Sequence, residues 1–550
     1  MAEKNTAALV LCGNIFTGKD DRTFYGAVAV TEKNILAVGT PEEIDPLIGT
    51  DTEIREFSEG LIMPGFVDAH AHFMEGAQMT SEHFCRDLSK ADSEEACVQR
   101  MVEFAARYPG LERYFGYGWL PSYWKDAPFP TKYSLDRYFP DTPVYLRAVD
   151  GHSEWMNTAA LKESGYMSGW QPAFGTVDRF PNGELTGLVR EGGDALCRKY
   201  DTKLPPEEEE FLQRRMVRSL NAVGITSFTE MGAVLPNVIT KVYRHVKKME
   251  EEGELTVRLF LYPGTDVDPS RIGEIDVYQE MYHTDLLKIA GLKAFADGVT
   301  STYTAAMTEP YVGREDKGYL NYPEEQYREW VLKANEHGYG TRVHCIGDYA
   351  VHALLDAYEA SGRVNGNHHL RNTIEHIEMI RPEDIKRFAK LNVVPSMQPL
   401  HLPLDEFDKI NHCGIERSHY EWVHRSILNT GAALALGTDF PIADYAPIPN
   451  VYQAVTRKGL NGVQYGPYTP DERLTVAQTL RAYTWGSAYA VGMEHKIGTL
   501  EAGKYADITV IDRNLLAIPE EDIVNAEILM TVMDGRLVYE KDVNIHPKAE

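Results

Sequence analysis

The chain has 550 residues, more than one hydrophobic core usually supports, so we expect a large domain with a smaller companion. Its 82 acidic and 55 basic side chains leave a net charge of −27, which opposes binding to nucleic acid or to anionic membranes. No stretch approaches the roughly 20 apolar residues that are needed to cross a bilayer. Six scattered cysteines without C-x-x-C spacing indicate reduced thiols, and therefore the cytoplasm.

Both ends of the chain carry short β-rich runs that are broken by turns. Near the N-terminus these runs lie between Ala7 and Val38, and near the C-terminus they cover 504–512 and 528–539. Because neither end is long enough to build a core alone, we predict that residues 1–63 and 487–550 form one composite β-sandwich domain. Two unrelated small sheets are the alternative.

The stretch 61–72 reads L-I-M-P-G-F-V-D-A-H-A-H and is predicted to contain a buried strand. Side chains alternate along a strand, so His70 and His72 point to the same face while Ala71 points away. Imidazole nitrogens at this spacing suit a divalent transition metal. The alternative interpretation is that two polar residues happen to alternate at the end of a strand. The remainder of the sequence is needed to choose between this interpretation and a metal site.

Seven further strand-like runs follow and alternate with helical segments. The runs cover 224–231, 256–263, 290–298, 341–347, 372–379, 392–399 and 433–441. Prolines followed by acidic residues mark helix starts at 205–210, 323–325 and 382–384. Eight strands that alternate with helices predict an α/β fold, namely a (β/α)8 TIM barrel over residues 64–486 whose reactive groups sit at the carboxyl ends of the strands.

Residues 73–204 interrupt the alternation between the first and second strands of the predicted barrel. The segment is too long for a plain loop, so we predict an inserted subdomain that covers the mouth of the barrel. It is rich in aromatic residues. Most of these are expected to pack the core of the insertion, and the remainder to line a pocket.

The predicted strand ends carry residues that are typical of a metal site. They are His70 and His72 on strand one, Lys293 on strand four, His344 on strand five, His376 on strand six and Asp439 on strand eight. A lone histidine in a strand is more often a hydrogen-bonded core residue than a metal ligand. A T-D-F-P sequence is likewise more often a turn than part of a metal site. Six such residues at one end of eight elements are hard to explain in that way, so we predict that they converge on one point.

Lys293 is the unusual member, because an ammonium group would repel a metal ion. It lies in the apolar run G-L-K-A-F-A, where burial lowers the pKa of an amine by disfavouring its charged form. A neutral amine adds carbon dioxide to give a carbamate, an anionic oxygen ligand that can bridge two metal ions. A lysine that reaches to the rim of the barrel is the alternative.

Several motifs, taken in order, resemble those of the amidohydrolase superfamily and, within it, the amidohydrolase-3 group. They are P-G-F-V-D-A-H-A-H, G-L-K-A-F-A-D-G, V-H-C-I-G-D, I-E-H-I-E, G-T-D-F-P and G-T-L-E-A-G-K-Y-A-D-I-T-V-I-D, with D-G-H-S-E-W-M-N-T-A-A-L and P-N-G-E-L-T-G-L-V-R-E in the insertion. The resemblance implies that His70, His72 and Asp439 hold one metal ion. It further implies that His344 and His376 hold a second, with carboxylated Lys293 as the bridge.

These features predict a metal-dependent hydrolase that cleaves an amide or related C–N bond of a small molecule through a metal-activated hydroxide. Zinc is the metal expected first, and manganese, iron and cobalt suit the same ligands. Asp439 is the predicted general base, which takes up a proton and passes it to the leaving nitrogen. The expected partner is a small-molecule substrate, and a homodimer is left open.

Substrate contacts are predicted in the insertion, at Asp150, His152 and Trp155 in a polar and aromatic cluster that follows a strand. Ordinary turn chemistry explains Asp-Gly-His equally well. Further candidates with less support are Arg190 and Glu191 as substrate contacts, and Asp297 and Arg342 as residues that support the metal ligands.

Two other functions fit the same barrel. A mononuclear deaminase or cyclic-amide hydrolase would use one metal ion, but such deaminases lack the bridging lysine, so Lys293 argues against it. The second alternative is a non-catalytic protein that kept the fold but lost the activity. The presence of all six predicted metal-binding residues argues against such a loss. A cofactor-dependent oxidoreductase is less supported, because no G-x-G-x-x-G follows any strand.

Overall fold

The computed structural model describes residues 6–85, 87–121, 124, 129–172, 175–191, 204–232, 234–366, 369–460 and 469–541. None of the helices in these ranges combines the length and the apolar character that crossing a bilayer requires. The cysteines within these ranges are all free thiols.

The chain begins with a small sheet. Its N-terminal elements are β1 (Leu9–Phe16), β2 (Thr23–Val30), β3 (Ile35–Gly39), α1 (Pro41–Ile44) and β4 (Glu53–Pro64). The stretch 61–72, predicted to contain a buried strand, is divided between the end of β4 and the next strand, β5 (Phe66–Ala71). The break falls at Gly65, where an added Cβ would lie 2.3 Å from Oγ1 of Thr226, so no larger residue fits between the two strands.

The insertion after β5 has a sheet and a core of its own. Its elements are α2 (Phe73–Met79), β6 (Phe84–Cys85), α3 (Glu94–Arg107), β7 (Tyr114–Trp119), α4 (Lys132–Asp136), β8 (Val144–Ala148), β9 (Ser153–Met156), α5 (Thr158–Ser164), β10 (Thr176–Arg179) and β11 (Leu185–Arg190). The strands form one sheet in the order β10-β11-β9-β8-β7-β6. Three tryptophans, Trp119, Trp124 and Trp155, pack in the core between this sheet and its helices. Most of the aromatic side chains therefore stabilise the insertion itself.

Parallel strands that alternate with helices make up the largest part of the molecule. The strands after β5 are β12 (Ile225–Glu230), β13 (Arg258–Leu261), β14 (Leu287–Ile289), β15 (Gly291–Phe295), β16 (Gly340–Cys345), β17 (Thr373–His376), β18 (Val394–Met397) and β19 (Ala435–Leu436). They form two parallel sheets in the orders β14-β13-β12-β5 and β15-β16-β17-β18-β19. Backbone hydrogen bonds join the two sheets, from Lys293 N on β15 to Pro263 O, just after β13, at 2.9 Å, and from Asp439 N, just after β19, to His70 O on β5 at 2.7 Å. The predicted α/β class with parallel strands is confirmed.

The helices lie in the gaps between these strands. They are α6 (Pro206–Ala222), α7 (Ile239–Val242), α8 (Arg244–Glu251), α9 (Gly273–Asp276), α10 (Glu324–Glu336), α11 (Asp348–Asn365), α12 (Ile385–Leu391), α13 (Leu402–Cys413), α14 (Ile415–Ser418), α15 (His424–Leu428), α16 (Pro447–Thr456), α17 (Val476–Arg481) and α18 (Ser487–Ala490). The starts predicted for α6 and α10 from proline followed by acidic residues are confirmed. The third predicted start, at Pro382, is a 3-10 turn that leads into α12.

The C-terminal strands return to the sheet that opened the chain. They are β20 (Ile508–Ile511), β21 (Ile528–Met533) and β22 (Arg536–Glu540), and the full order of the seven-stranded sheet is β22-β21-β20-β4-β1-β2-β3. β20 pairs antiparallel with β4, so strands from both ends of the chain are direct neighbours. The predicted sandwich and its domain boundaries stay predictions.

A buried ion pair ties this terminal sheet to the parallel strands. Arg258 on β13 donates from Nε to Asp507 at 2.8 Å and from Nη2 to Asp534 at 3.1 Å. Arg258 and Asp507 are both buried, so each charge depends on the other to offset its loss of hydration.

Replacing Asp507 with asparagine is therefore expected to lower the free energy of unfolding by about 3 kcal/mol, because the guanidinium of Arg258 stays buried beside a neutral amide. Urea unfolding of the variant measures this loss. Glu112→Gln, which changes a highly exposed carboxylate, is the control and is expected to shift stability by less than about 0.5 kcal/mol. A loss no larger than that of the control would show that the pair contributes little.

Candidate metal centre

A cavity of about 550 Å³ lies at the carboxyl ends of the parallel strands. All the residues predicted to bind metal line this cavity: His70, His72, Lys293, His344, His376 and Asp439. His70 is on β5, Lys293 on β15, and His344 on β16. Because parallel strands end at a common edge, side chains far apart in the sequence meet here.

The cluster is tight enough to share a metal ion. Ligand atoms of His70, His376 and Asp439 all lie within 4.8 Å of one another. The ring centroids of His344 and His376 are 4.5 Å apart, and Nε2 of His72 lies 3.0 Å from Oδ1 of Asp439. These distances place five ligand-type side chains around one point.

Polar atoms of the cluster lack the hydrogen bonds that burial normally demands. Within the described part of the chain, Nζ of Lys293 and Nδ1 of His376 have no hydrogen-bond partner. Lys293 is only 1% exposed, and burial lowers its pKa to about 8. Buried polar atoms without partners call for an explanation, and a bound ion supplies one. The donor set of imidazoles, a carboxylate and this lysine therefore fits a divalent metal.

Hydrogen bonds indicate which ring nitrogen carries the proton in two of the histidines. Nδ1 of His70 lies 2.6 Å from the carboxylate of Glu375, and Nε2 of His344 lies 3.3 Å from the carbonyl of Gly298. Since both partners accept, these nitrogens carry the protons, and the opposite nitrogens are left as lone-pair donors. Burial also lowers the pKa of His70 and His344 well below the usual value, which favours the neutral rings that bind metals.

Glu375 is itself held in place by a buried arginine. Arg342 donates from Nη1 to Glu375 at 3.1 Å and to the carbonyl of Ala69 at 2.5 Å. Asp297 has a different structural task, since it accepts backbone N–H groups of Ala306, Ile346 and Gly347 and so fixes the loops after β15 and β16. Neither Arg342 nor Asp297 lines the cavity, as expected for residues that support the ligands rather than react.

Asp439 sits in a strained and strongly polar position. Its backbone is in the left-handed region, with φ of 56°, and His376 has φ of 72°. Burial alone would raise the pKa of the Asp439 carboxyl, but the imidazoles of His70 and His72 lower it below the usual value. Non-glycine residues in this conformation are uncommon and collect at functional sites.

A second carboxylate joins β5 to the segment that carries Asp439. Asp68 accepts hydrogen bonds from the backbone N–H of His70 at 3.1 Å and from Oγ1 of Thr438 at 2.6 Å. Burial raises the pKa of Asp68 to about 7. The contact sets the spacing between two of the predicted ligands, His70 and Asp439.

Two of the three predicted substrate contacts reach the cavity from the insertion. Asp150 accepts hydrogen bonds from the backbone of His152 and from Ser301, both at 2.9 Å. Nδ1 of His152 lies 2.8 Å from the carboxylate of Glu191, and its ring centroid is 5.0 Å from that of His344. Burial would lower the pKa of His152, but Glu191 and Asp150 raise it to about 9. The insertion thus places a cationic imidazole beside the predicted metal ligands.

The prediction that Trp155 contacts substrate is wrong. Its side chain is fully buried in the core of the insertion, where its ring packs against Trp119 and its Nε1 donates to the carbonyl of Thr131 at 2.9 Å. It does not line the cavity. Arg190 also points elsewhere, because it pairs with Asp178 at 2.8 Å, whereas the adjacent Glu191 lines the cavity.

Four residues at the site escaped prediction from the sequence. They are Asp68, Glu230, Glu375 and His401. Glu375 immediately precedes His376 in I-E-H-I-E, and Asp68 shares a strand face with His70, so alternation along the strands could have found Asp68. Glu230 ends β12, where the rule that carboxyl ends of barrel strands carry function also applies.

Replacing Glu375 with glutamine is expected to weaken metal binding about 10- to 100-fold, because the amide no longer holds the His70 ring by a charged hydrogen bond. Competition with a chromogenic chelator measures this affinity. Glu359→Gln, on the outer face of α11, is the control and should leave metal affinity unchanged. Equal affinities for the two variants would contradict the role of Glu375.

A family model for the amidohydrolase family matches residues 58–539 of the chain. The chain therefore belongs to the amidohydrolase family. It is 29% identical to protein LONG AFTER FAR-RED 3 of Arabidopsis thaliana over 544 residues, which cover 96% of this chain and 91% of that protein. It is 26% identical to N-substituted formamide deformylase of Arthrobacter pascens over 548 residues, which cover 97% of this chain and 98% of that one.

Among solved structures, the chain resembles an uncharacterized metal-dependent hydrolase from Pyrococcus horikoshii. The TM-score is 0.72 at 25% sequence identity, and the match covers 93% of this chain and 99% of the other. The fold is thus α/β and TIM-barrel-like, and membership of the family supports divalent-metal-dependent hydrolysis of C–N bonds.

Proposed function

We propose that this protein hydrolyses an amide or related C–N bond of a small molecule at a two-metal centre in the mouth of a closed (β/α)8 barrel. The observation that carries the proposal is the convergence of imidazoles and a carboxylate around the buried Lys293, whose Nζ has no hydrogen-bond partner in the described chain. The relative named as a formamide deformylase supports the choice of bond.

The donor set divides between two ions. His70, His72 and Asp439 would hold the first, and His344 and His376 the second. Lys293, as the carbamate formed from its neutral amine and carbon dioxide with release of a proton, would bridge the two. Zinc suits these nitrogen and oxygen ligands best, and manganese, iron and cobalt are the alternatives.

When bound, the metal ions supply a nucleophile from water at neutral pH and polarise the carbonyl of the substrate. Asp439 acts as the general base, taking a proton from the attacking water at its carboxylate and delivering it to the leaving nitrogen, which departs as a neutral amine. Glu191 accepts from Nδ1 of His152, and since Glu191 and Asp150 raise the pKa of this imidazole to about 9, its other ring nitrogen also carries a proton and can donate to the substrate carbonyl. Residues of the insertion, among them Tyr117, Asp150 and His152, form one wall of the cavity.

The test is a metal count combined with a panel of substrates. The purified protein is reconstituted with zinc or manganese, with and without bicarbonate, and is assayed on N-formyl, N-acyl and carbamoyl compounds. We expect two ions per chain, hydrolysis that a chelator abolishes, and recovery when metal is returned. One ion per chain with unmodified Lys293 would favour the mononuclear alternative, and a metal-loaded protein without hydrolytic activity would refute the proposal.

A further inference from the structure

A second, much smaller pocket adjoins the cavity that holds the predicted metal ligands. Its volume is about 30 Å³, against about 550 Å³ for the cavity. The two spaces share part of their walls, namely His152 and the predicted ligands His344, His376 and Asp439 among others. The small space, bounded on its other side by Val149, is called the inner pocket below. It lies directly beside the predicted metal centre.

The inner pocket is distinct from the position of the metal ions. Of the described residues, His70, His72 and Lys293 line only the larger cavity. The ions that Lys293 would bridge therefore belong to that cavity. His401, in contrast, lines only the inner pocket, where its Nε2 lies 3.7 Å from Oδ2 of Asp439. The inner pocket is thus available to a part of the substrate that lies next to the ions.

Buried aliphatic side chains limit the size of the inner pocket. Val149, Val299 and Ile346 line it, and each is at most 9% exposed. Val299 and Ile346 also pack with Tyr311 in one apolar cluster, so a wider pocket would cost packing contacts. A volume of about 30 Å³ equals the share of one molecule in liquid water. The inner pocket therefore has room for a hydrogen atom or a methyl group.

The unequal sizes of the two spaces assign the two sides of the scissile bond. The reacting carbonyl lies at the ions, where the two spaces share a wall, so one of its substituents faces each space. The amine leaves first and has to reach solvent while the acyl group is still held at the ions. The larger cavity has room for this departure, so the amine side belongs there. The acyl side then faces the inner pocket.

We propose that the substrate is an amide of a small acyl group, formyl or acetyl, whose hydrogen or methyl group occupies the inner pocket, and that Val299 determines the size that is accepted. Val299 lines the inner pocket but not the larger cavity, so it contacts the acyl side alone. The inference rests on the hydrolase function proposed above and names the substrate class on the acyl side.

The N-formyl, N-acetyl, N-propionyl and N-isobutyryl derivatives of benzylamine test the inference on the metal-loaded protein. Because acyl bulk slows the hydrolysis of an amide by itself, each kcat/KM is divided by the rate constant for alkaline hydrolysis of the same compound. We expect the divided value to fall about tenfold or more from acetyl to propionyl, since the additional carbon overfills the pocket. Divided values that stay level or rise along the series would overturn the inference while the hydrolase function stands.

Two substitutions of Val299 should shift the acyl preference in opposite directions. Val299→Ala adds room and is expected to raise the ratio of kcat/KM for propionyl over acetyl about tenfold. Val299→Ile removes room and should lower the ratio for acetyl over formyl by a similar factor. A purely structural effect would slow all the amides equally and leave both ratios as they are, and that result in folded variants would overturn the role of Val299.

Val28→Ala is the matched control, because it removes the same methyl groups from a valine buried in the terminal sheet. Its ratios should equal those of the unmodified chain. Ile346→Val, which also enlarges the inner pocket, is the second variant in case Val299→Ala does not fold.

If no amide of the series is hydrolysed, the hydrolase function is in doubt for these compounds, and binding tests the inference separately. Acetohydroxamate and pivalohydroxamate carry the same metal-binding group and differ in the bulk of the acyl side. Calorimetry on the metal-loaded protein is expected to show at least about tenfold tighter binding of acetohydroxamate, with a smaller difference in Val299→Ala. Equal affinities, or no binding of either compound, would overturn the inference.

Discussion

Asp439→Asn is expected to lower kcat about a thousandfold, because the amide cannot take up the proton that the leaving nitrogen needs. The substitution preserves size, and the backbone hydrogen bond from Asp439 to His70 is unaffected by it. Metal content, measured by mass spectrometry of the dissolved metals, should fall much less than turnover, since the histidines remain.

Asp444→Asn is the matched control for Asp439→Asn. Asp444 lies on the same segment after β19 but is exposed and does not line the cavity. Its replacement should leave both turnover and metal content unchanged. Near-normal turnover of Asp439→Asn with metal bound would show that another group is the base.

Lys293→Gln is expected to reduce the metal content from two ions per chain to one or fewer and to lower turnover by about a thousandfold. The amide of glutamine cannot add carbon dioxide, so no bridging carbamate forms. In protein reconstituted with ¹³C-bicarbonate, a carbamate carbon signal should be present in the unmodified chain and absent from the variant.

Lys288→Gln serves as the control for Lys293→Gln. Lys288 lies on the neighbouring strand β14, half-buried over the ring of Phe260 and away from the cavity. Its carbamate signal and metal content should match those of the unmodified chain. If Lys293→Gln retained two ions and full turnover, the lysine would have no part in the centre.

The sequence alone was sufficient where one periodic rule governs position. Alternation along a strand put His70 and His72 on one face, and the common edge of parallel strands explains how His344 and His376 come to lie 4.5 Å apart between ring centroids. Lys293 stood out because an amine in an apolar run is unusual, and the structure shows that amine buried without a partner among described residues. Its chemical state stays a prediction.

Other features depend on contacts that no local pattern reveals. The prediction for Trp155 failed because the local sequence around an aromatic residue beside a polar turn does not show whether its side chain faces a pocket or a core. In the structure, Trp155 on β9 packs against Trp119. Glu375 and Glu230 form hydrogen bonds with residues distant in the chain, His70 and Met74, and these contacts cannot be predicted from the local sequence. Pairing of β20 with β4 likewise depends on the three-dimensional path.

The position of β20 beside β4 also bears on how the protein is made. During synthesis β4 leaves the ribosome early, while its antiparallel neighbour β20 emerges only after all the parallel strands and the insertion. Until then one edge of β4 is an unpaired strand, which can associate with other nascent chains. Completion of the sheet is therefore a late step that joins distant parts of the chain. Protection by chaperones would matter most between the emergence of β4 and the emergence of β20.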